Sequence, residues 1–265
     1  MDETYAKLIA GIMDYFSKNN FSKAVIGLSG GIDSSVSAFL AVRALGSGNV
    51  TGILMPEEGL TSEDNIRDAL EIVKTLRIRH YYIPINDYIN KFKTIGNIIK
   101  NNKNNGFDGN SGKNELAFSN AKARIRMCIL YYFANLNNAL VVGTSNKSES
   151  FLGYATKYGD AASDILPIGD LWKTEVIELG KFLKIPEKIL RKTPSAELIP
   201  GVTDEKELGA PYEVLDKILR LHFEKGVSRE EIISNGFDAE LAENVFRRIK
   251  MNEHKGRMPF VVKVF

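Results

Sequence analysis

Cysteine is almost absent: Cys128 is the only one in 265 residues. One thiol excludes an intramolecular disulfide and any zinc site built on cysteine pairs. Histidine is nearly as scarce. His80, His222 and His254 lie far apart, with no HxxxH or HExxH spacing, so a histidine cage for zinc is not expected. No stretch approaches the roughly 18 apolar residues of a membrane span. The opening MDETYAKLIAGIMDYF has neither a basic leader nor a small-residue cleavage site, so it is not expected to be a signal peptide. The chain therefore reads as cytoplasmic, in a reducing compartment. An excess of one charge is lacking too: 35 Lys+Arg against 33 Asp+Glu leave a net +2. No nucleic acid and no membrane surface is expected as a main partner. What remains is ordinary for a globular chain, 44% hydrophobic and 26% charged, and long enough for a full core.

The hydrophobic pattern gives the fold class. Leu8, Ile9, Ile12, Met13 and Phe16 have helical spacing, and the short run Ala24-Val25-Ile26-Gly27-Leu28 reads as a buried strand. A helix with Val36, Phe39, Leu40 and Leu45 ends near Gly46. Residues 49–55 are a second strand, and Thr61 opens a helix with Asp64 three residues on, in the manner of a capping box. Residues 80–84 are a third strand and 86–100 a helix. The Asn/Gly-rich segment 101–114 is expected to be a mobile loop, followed by a long helix from Glu115 to about Leu136. Ala139 to Gly143 is a fourth strand. Past residue 170 the pattern is helical, at 172–184, 211–224, 228–235 and 238–252. The expectation is an α/β fold with a doubly wound, mostly parallel sheet and helices on both faces over about 1–170, plus a helical C-terminal part over about 171–265, the whole acting as one domain. Loops 29–35, 56–61 and 144–149 should then share the edge where such sheets bind ligands.

The loop after the first strand carries chemistry. Two adjacent glycines, Gly30 and Gly31, let the backbone turn tightly, while Ser29, Ser34 and Ser35 add hydroxyls and a helix N-terminus adds partial positive charge. That suits a phosphate. No GK[ST] or GxGxxG pattern is present. Asp33 would repel phosphates unless a divalent cation stood between, so the loop implies Mg²⁺ with a nucleotide.

The segment SGGIDSS resembles the PP-loop of the N-type ATP pyrophosphatases, which cleave ATP to AMP and pyrophosphate while adenylating a carbonyl or carboxylate oxygen. The later segments resemble one branch, the ammonia-dependent NAD synthetases. The matches are Asn120-Ala121-Lys122-Ala123-Arg124-Ile125-Arg126-Met127, Gly143 to Glu149, Thr156-Lys157-Tyr158-Gly159-Asp160 with Asp164, then Lys173, Thr193-Pro194-Ser195, and His254-Lys255. Two departures stand out. Ala161 and Ala162 replace the family's usual glycines, and Ser145-Asn146 replaces the Asp-His of some members. Taken alone, the basic run 122–126 would read as a solvated helix face, and Cys128 as a small core residue.

The resemblance implies an adenine nucleotide alpha hydrolase-like fold and ATP-dependent amidation of deamido-NAD by ammonia. It implies ATP contacts from Gly27, Leu28, Ser29, Gly30, Gly31, Ile32, Asp33, Ser34, Thr144, Lys173 and Ser195, and Mg²⁺ ligation by Asp33 and Glu149. It implies deamido-NAD contacts from Arg124, Lys157, Asp164, His254 and Lys255. Asp33, Glu149, Asp164 and Lys173 are the catalytic candidates, Asp164 as a group to orient or deprotonate ammonium. Glutamine-dependent relatives carry a further hydrolase domain with a nucleophilic cysteine, so ammonia is the expected nitrogen source unless a separate amidotransferase delivers it. The family is typically homodimeric. The competing readings are a tRNA-thiolating pyrophosphatase, which calls for a cysteine pair or a basic RNA-binding part, and a non-catalytic nucleotide sensor, which has no need of both Asp33 and Glu149.

Overall fold

The structure is a computed structural model and describes residues 1–101, 111–195 and 202–264. The elements run in order α1 (Asp2–Lys18), β1 (Lys23–Gly27), α2 (Ile32–Leu45), β2 (Val50–Leu54), α3 (Glu63–Leu76), β3 (Arg79–Tyr82), α4 (Asn86–Asn101), α5 (Ser111–Asn137), β4 (Ala139–Val142), α6 (Lys147–Leu152), α7 (Lys173–Phe182), α8 (Glu187–Leu190), α9 (Asp204–Leu208), α10 (Tyr212–Lys225), α11 (Arg229–Ser234) and α12 (Ala239–Asn252). No helix among the described residues is long and apolar enough to cross a membrane.

The four strands form one parallel sheet in the order β3-β2-β1-β4. Strand alternation divides the apolar residues between two faces. Ala24 and Ile26 of β1, Val50 and Leu54 of β2, and Leu140 and Val142 of β4 join α1, α2, α3 and α7 in one core. Val25, Ile53, Ala139 and Val141 join α4 and α5 in the other. Around β1, β2 and β4 both faces are covered, which is why these strands read as continuous apolar runs, while the edge strand β3 is exposed. A third cluster, around Trp172, Tyr212, Leu215, Ile218 and Leu219, gathers α6, the start of α7 and α9 to α12. The chain leaves β1 for β2 and β3 on one side, then returns to place β4 on the other. The crevice between the C-terminal ends of β1 and β4 is the topological switch point, where open α/β sheets bind ligands.

Some local expectations change. The cap of α3 is Ser62, whose hydroxyl accepts the Asn65 N–H at 3.2 Å, and Thr61 instead accepts the Glu57 N–H at 3.0 Å. The long helix begins at Ser111, ahead of Glu115, and α4 runs to Asn101. Most of the expected Asn/Gly loop, residues 102–110, lies outside the described residues. Cys128 sits within α5 but is exposed, because the helix turns Ala123, Ile125, Ile129 and Ala134 inward instead. Within residues 122–126 only Arg124 is exposed, so the run is not a solvated face as a whole. Lys122 is 5% exposed and pairs with Glu57 at 2.6 Å, and Arg126 Nε donates to the Met55 carbonyl at 3.0 Å.

Helix α7 starts without a cap from its own N-cap side chain, since Trp172 offers no acceptor. Its first N–H groups find partners elsewhere. The Lys173 N–H donates to the Ser148 hydroxyl at 2.9 Å, and the Thr174 N–H and hydroxyl donate to Asp216 Oδ2 at 2.9 and 2.8 Å. Ser148 in turn donates to Asp216 Oδ1 at 2.5 Å. A carboxylate from α10, 2% exposed, thus satisfies the start of α7 and fixes where Lys173 stands. Asp216→Ala leaves these donors unpaired at a cost of about 2–3 kcal/mol. Thermal unfolding should show Tm lower by roughly 5–10 °C. Asp216→Asn, which keeps an acceptor, should lose less.

Candidate active site

The loop between β1 and α2 is shaped by its own serines. Ser34 Oγ accepts the Ser29 N–H at 3.3 Å, lies 3.1 Å from Ser29 Oγ and donates to the Gly31 carbonyl at 3.1 Å. Ser35 Oγ donates to the same carbonyl at 2.8 Å. Gly30 has φ +80°, and a Cβ there would stand 2.2 Å from the Asn65 carbonyl oxygen of α3. Only glycine fits that close approach. Gly31, at φ −85°, has room: its nearest neighbour would be Ser29 Oγ at 3.3 Å.

Asp33 is in the first turn of α2 but does not cap it. Its Oδ1 accepts from the Asn146 side-chain amide at 2.9 Å and its Oδ2 meets the Lys173 ammonium. Lys173 Nζ also lies 3.5 Å from Glu149 Oε1. Lys173 is 1% exposed. Burial opposes its charge, but the Asp33 and Glu149 carboxylates outweigh that and hold its pKa above the ordinary lysine value. Glu149 is pushed up to about 8, first by burial, then by the charge of Asp33, with Lys173 pulling the other way. Asp204 joins from α9. Burial raises its pKa, and it accepts from the hydroxyls of Tyr154 at 3.1 Å and Tyr212 at 3.3 Å.

These groups open on a cavity of about 320 Å³ at the switch point. Of the residues that the resemblance gives as ATP contacts or metal ligands, Gly27, Leu28, Ser29, Gly31, Ile32, Asp33, Ser34, Thr144, Glu149, Lys173 and Ser195 line it. Gly30 lies just behind this wall, its carbonyl 3.4 Å from Lys192 Nζ. The structure brings the expected metal pair and the expected cation together, from α2, α6 and α7. Ser145 and Asp204, which fall within the matched runs 143–149 and 204–209, line it too, and so does Lys192, which the sequence reading did not single out and whose ammonium also reaches Asn65 and the buried Asp68. The lysine directly before Thr193-Pro194-Ser195 was the available signal for Lys192.

The remaining candidates stand outside the cavity wall. Asp164 lies along the outer edge of β4, where the main chain of 164–165 bridges to the strand; its Oδ2 accepts the Val141 N–H at 2.7 Å and its Oδ1 the Tyr131 hydroxyl at 3.3 Å. Both oxygens are engaged, so this structure does not bring Asp164 to the reacting groups. Arg124, Lys157, His254 and Lys255 form a separate basic cluster. Arg124 donates to the Lys157 carbonyl at 3.2 and 3.3 Å, Lys157 to the His254 carbonyl at 2.6 Å and Lys255 to the Gly153 carbonyl at 2.8 Å.

Two outcomes follow from this geometry. Gly30→Ala should lower Tm by roughly 5 °C or more, from the left-handed φ and the clash with Asn65, while Gly31→Ala should leave it nearly unchanged. Equal shifts would contradict the close approach described. The raised Glu149 value means that between its ordinary 4.5 and about 8 the folded chain keeps a proton that the unfolded chain has lost. Stability therefore falls as pH rises through that window and levels off above it. Glu149→Gln removes the effect, so its Tm should gain on that of the unsubstituted protein from about pH 5 to pH 8, read by thermal unfolding across pH.

Comparison with known proteins agrees with the site. The family model described as NAD synthase matches residues 4–259. The NH(3)-dependent NAD(+) synthetase of Methanocaldococcus jannaschii is 45% identical over 98% of this chain and 96% of its own length. That of Fusobacterium nucleatum is 40% identical over 100% of this chain and 96% of its own. Among solved structures, an NMN synthetase from Francisella tularensis superposes with a TM-score of 0.82 at 34% identity, covering 100% of this chain and 98% of that one. A PP-loop at the switch point, two carboxylates sharing a buried lysine and a family match over almost the whole chain agree on one assignment: the chain belongs to the NAD synthase family.

Proposed function

We propose that the chain catalyses the ATP-dependent amidation of deamido-NAD by ammonia, giving NAD, AMP and pyrophosphate. The observation that carries this reading is the convergence of Asp33, Glu149 and Lys173 on the cavity beside the PP-loop. A free carboxylate resists ammonia because oxide or hydroxide would have to leave. Attack of the nicotinate carboxylate on the α-phosphorus of ATP releases pyrophosphate and turns that oxygen into part of a good leaving group, AMP. Ammonia then attacks the acyl carbon and AMP departs. Such chemistry needs positioning and charge neutralisation more than a nucleophilic side chain. The turn at Gly30 and Gly31, with the Ser29 and Ser34 hydroxyls, forms the phosphate cradle. Lys173 supplies a cation that the neighbouring carboxylates keep charged.

Asp33 and Glu149 suit a divalent cation. Crowding and burial raise Glu149, which is the strain that a second positive charge would relieve. Bound Mg²⁺ would neutralise phosphate charge as pyrophosphate leaves. Among the described residues no group of three or more acidic, His or Cys side chains is placed to hold a metal. Nucleotide oxygens would complete its shell.

Arg124, Lys157, His254 and Lys255 are proposed to take the dinucleotide, on the strength of the resemblance and of their gathering in one cluster. The α/β and helical parts are proposed to work as one unit, since Lys173 and Asp216, both past residue 170, meet Asp33, Glu149 and Ser148 from before it. Tyr81, Tyr88, Phe92, Ile95, Tyr132 and Leu136, exposed on the neighbouring elements β3, α4 and α5, support a homodimer. A cytoplasmic location fits a substrate set of ATP, a dinucleotide and ammonia.

The similarity to an NMN synthetase favours a second reading, the same amidation on nicotinate mononucleotide. One assay separates them: purified protein with ATP, Mg²⁺, ammonium and either deamido-NAD or nicotinate mononucleotide, with amide product and AMP both measured. NAD and AMP in equal amounts from the dinucleotide are expected. Amide from the mononucleotide alone would favour the second reading, and none from either would sink both. Asp33→Ala and Glu149→Ala should each lower turnover by roughly 10²–10³-fold or more.

A further inference from the structure

Asn146 is fully buried and touches both members of the carboxylate pair. Its side-chain Oδ1 accepts the Glu149 N–H at 3.0 Å, which caps α6, and its main-chain N–H donates to Glu149 Oε2 at 3.2 Å. Neither contact requires an amide, because a serine or aspartate caps a helix as well. The amide nitrogen does something else: Nδ2 crosses to α2 and donates to Asp33 Oδ1 at 2.9 Å, over 113 residues of sequence. With Lys173 the contacts close a ring. Asn146 Nδ2 holds the outer oxygen of Asp33, Lys173 Nζ joins Asp33 Oδ2 to Glu149 Oε1, and the Asn146 N–H holds Glu149 Oε2. Each carboxylate has one oxygen tied to Asn146 and one turned toward a shared cation.

We propose that Asn146 is a positioning residue that sets the spacing and facing of Asp33 and Glu149, so that the pair takes up one divalent cation together with bound nucleotide. This rests on the reading of those two residues as the metal ligands. An aspartate here would keep the cap but set a third carboxylate against Asp33. A serine would keep the cap and fall short of Asp33. The amide accepts on one side and donates on the other without charge, and here it reaches both partners at once. Loss of groups that orient metal ligands typically weakens metal binding by roughly 10–100-fold.

Asn146→Ser separates the two duties. The test is calorimetric binding of a non-cleavable ATP analogue, with methylene between the α and β phosphorus, across a Mg²⁺ series, beside thermal unfolding without ligand. In Asn146→Ser the Mg²⁺ concentration for half-maximal binding should rise at least about tenfold, with Tm changed by only a few degrees. Asn146→Asp should show the same rise and a Tm that falls further as pH increases. An unchanged Mg²⁺ dependence in Asn146→Ser would leave the residue a helix cap only and overturn the proposal. So would a collapse of Tm with binding lost equally at every Mg²⁺ concentration. If the unsubstituted protein binds the analogue with no Mg²⁺ dependence, the metal reading of Asp33 and Glu149 fails first, and this role with it. That result would leave the amidation assay above to stand or fall by itself.

Discussion

A lysine ammonium buried between two carboxylates is the contact on which the rest of this structure turns. Lys173 has no exposure to speak of, and burying its charge is tolerable only because Asp33 and Glu149 face it. The three residues come from α2, α6 and α7, so their meeting draws the loops after β1 and β4 to one point. The two carboxylates would otherwise repel each other, and Glu149 is raised first by burial and then by the charge of Asp33. Such an arrangement is poised to exchange or share its cation. It costs stability in the free protein and becomes favourable when a polyanionic ligand brings further positive charge.

The sheet explains why the site stands where it does. Strand order β3-β2-β1-β4 puts the strand that comes first in sequence in the interior, with its neighbours entering from opposite sides. The loops leaving β1 and β4 must diverge, and a crevice opens between them. The turn at Gly30 is then anchored by its close approach to α3 at Asn65 and by Lys192, just past α8. These two supports, with the loop's own serines, let a glycine-rich loop hold one shape.

Much of this was legible in the residues. The apolar runs at 24–28, 49–55 and 139–143 marked their strands, because strands buried on both faces have no polar alternation to hide them. The order of elements led to a parallel sheet, and SGGIDSS with Asp33 marked the phosphate loop. The Asp33, Glu149 and Lys173 group was found through motif resemblance and then seen in contact. What was not legible has physical reasons. Helices α6, α8 and α9 span four to six residues, too short to show a period. Asp216 sits at a helix position that reads as solvent-facing, yet its partners are 42 and 68 residues away. Asn146 looked like a neutral replacement in a motif, since spacing says nothing of an amide that reaches a distant strand's loop. Asp164 shows the opposite case: a matched position whose side chain accepts a main-chain N–H of β4.

The borrowed cap of α7 has a consequence for how activity can be lost. The ammonium is aimed by a carboxylate that belongs to α10, and α10 belongs to a separate apolar cluster from the sheet. A molecule in which the C-terminal helices had loosened could keep its sheet and its phosphate loop and still have no cation in place. The placement of the Lys173 ammonium thus depends on the docking of the helical layer as well as on the α/β core.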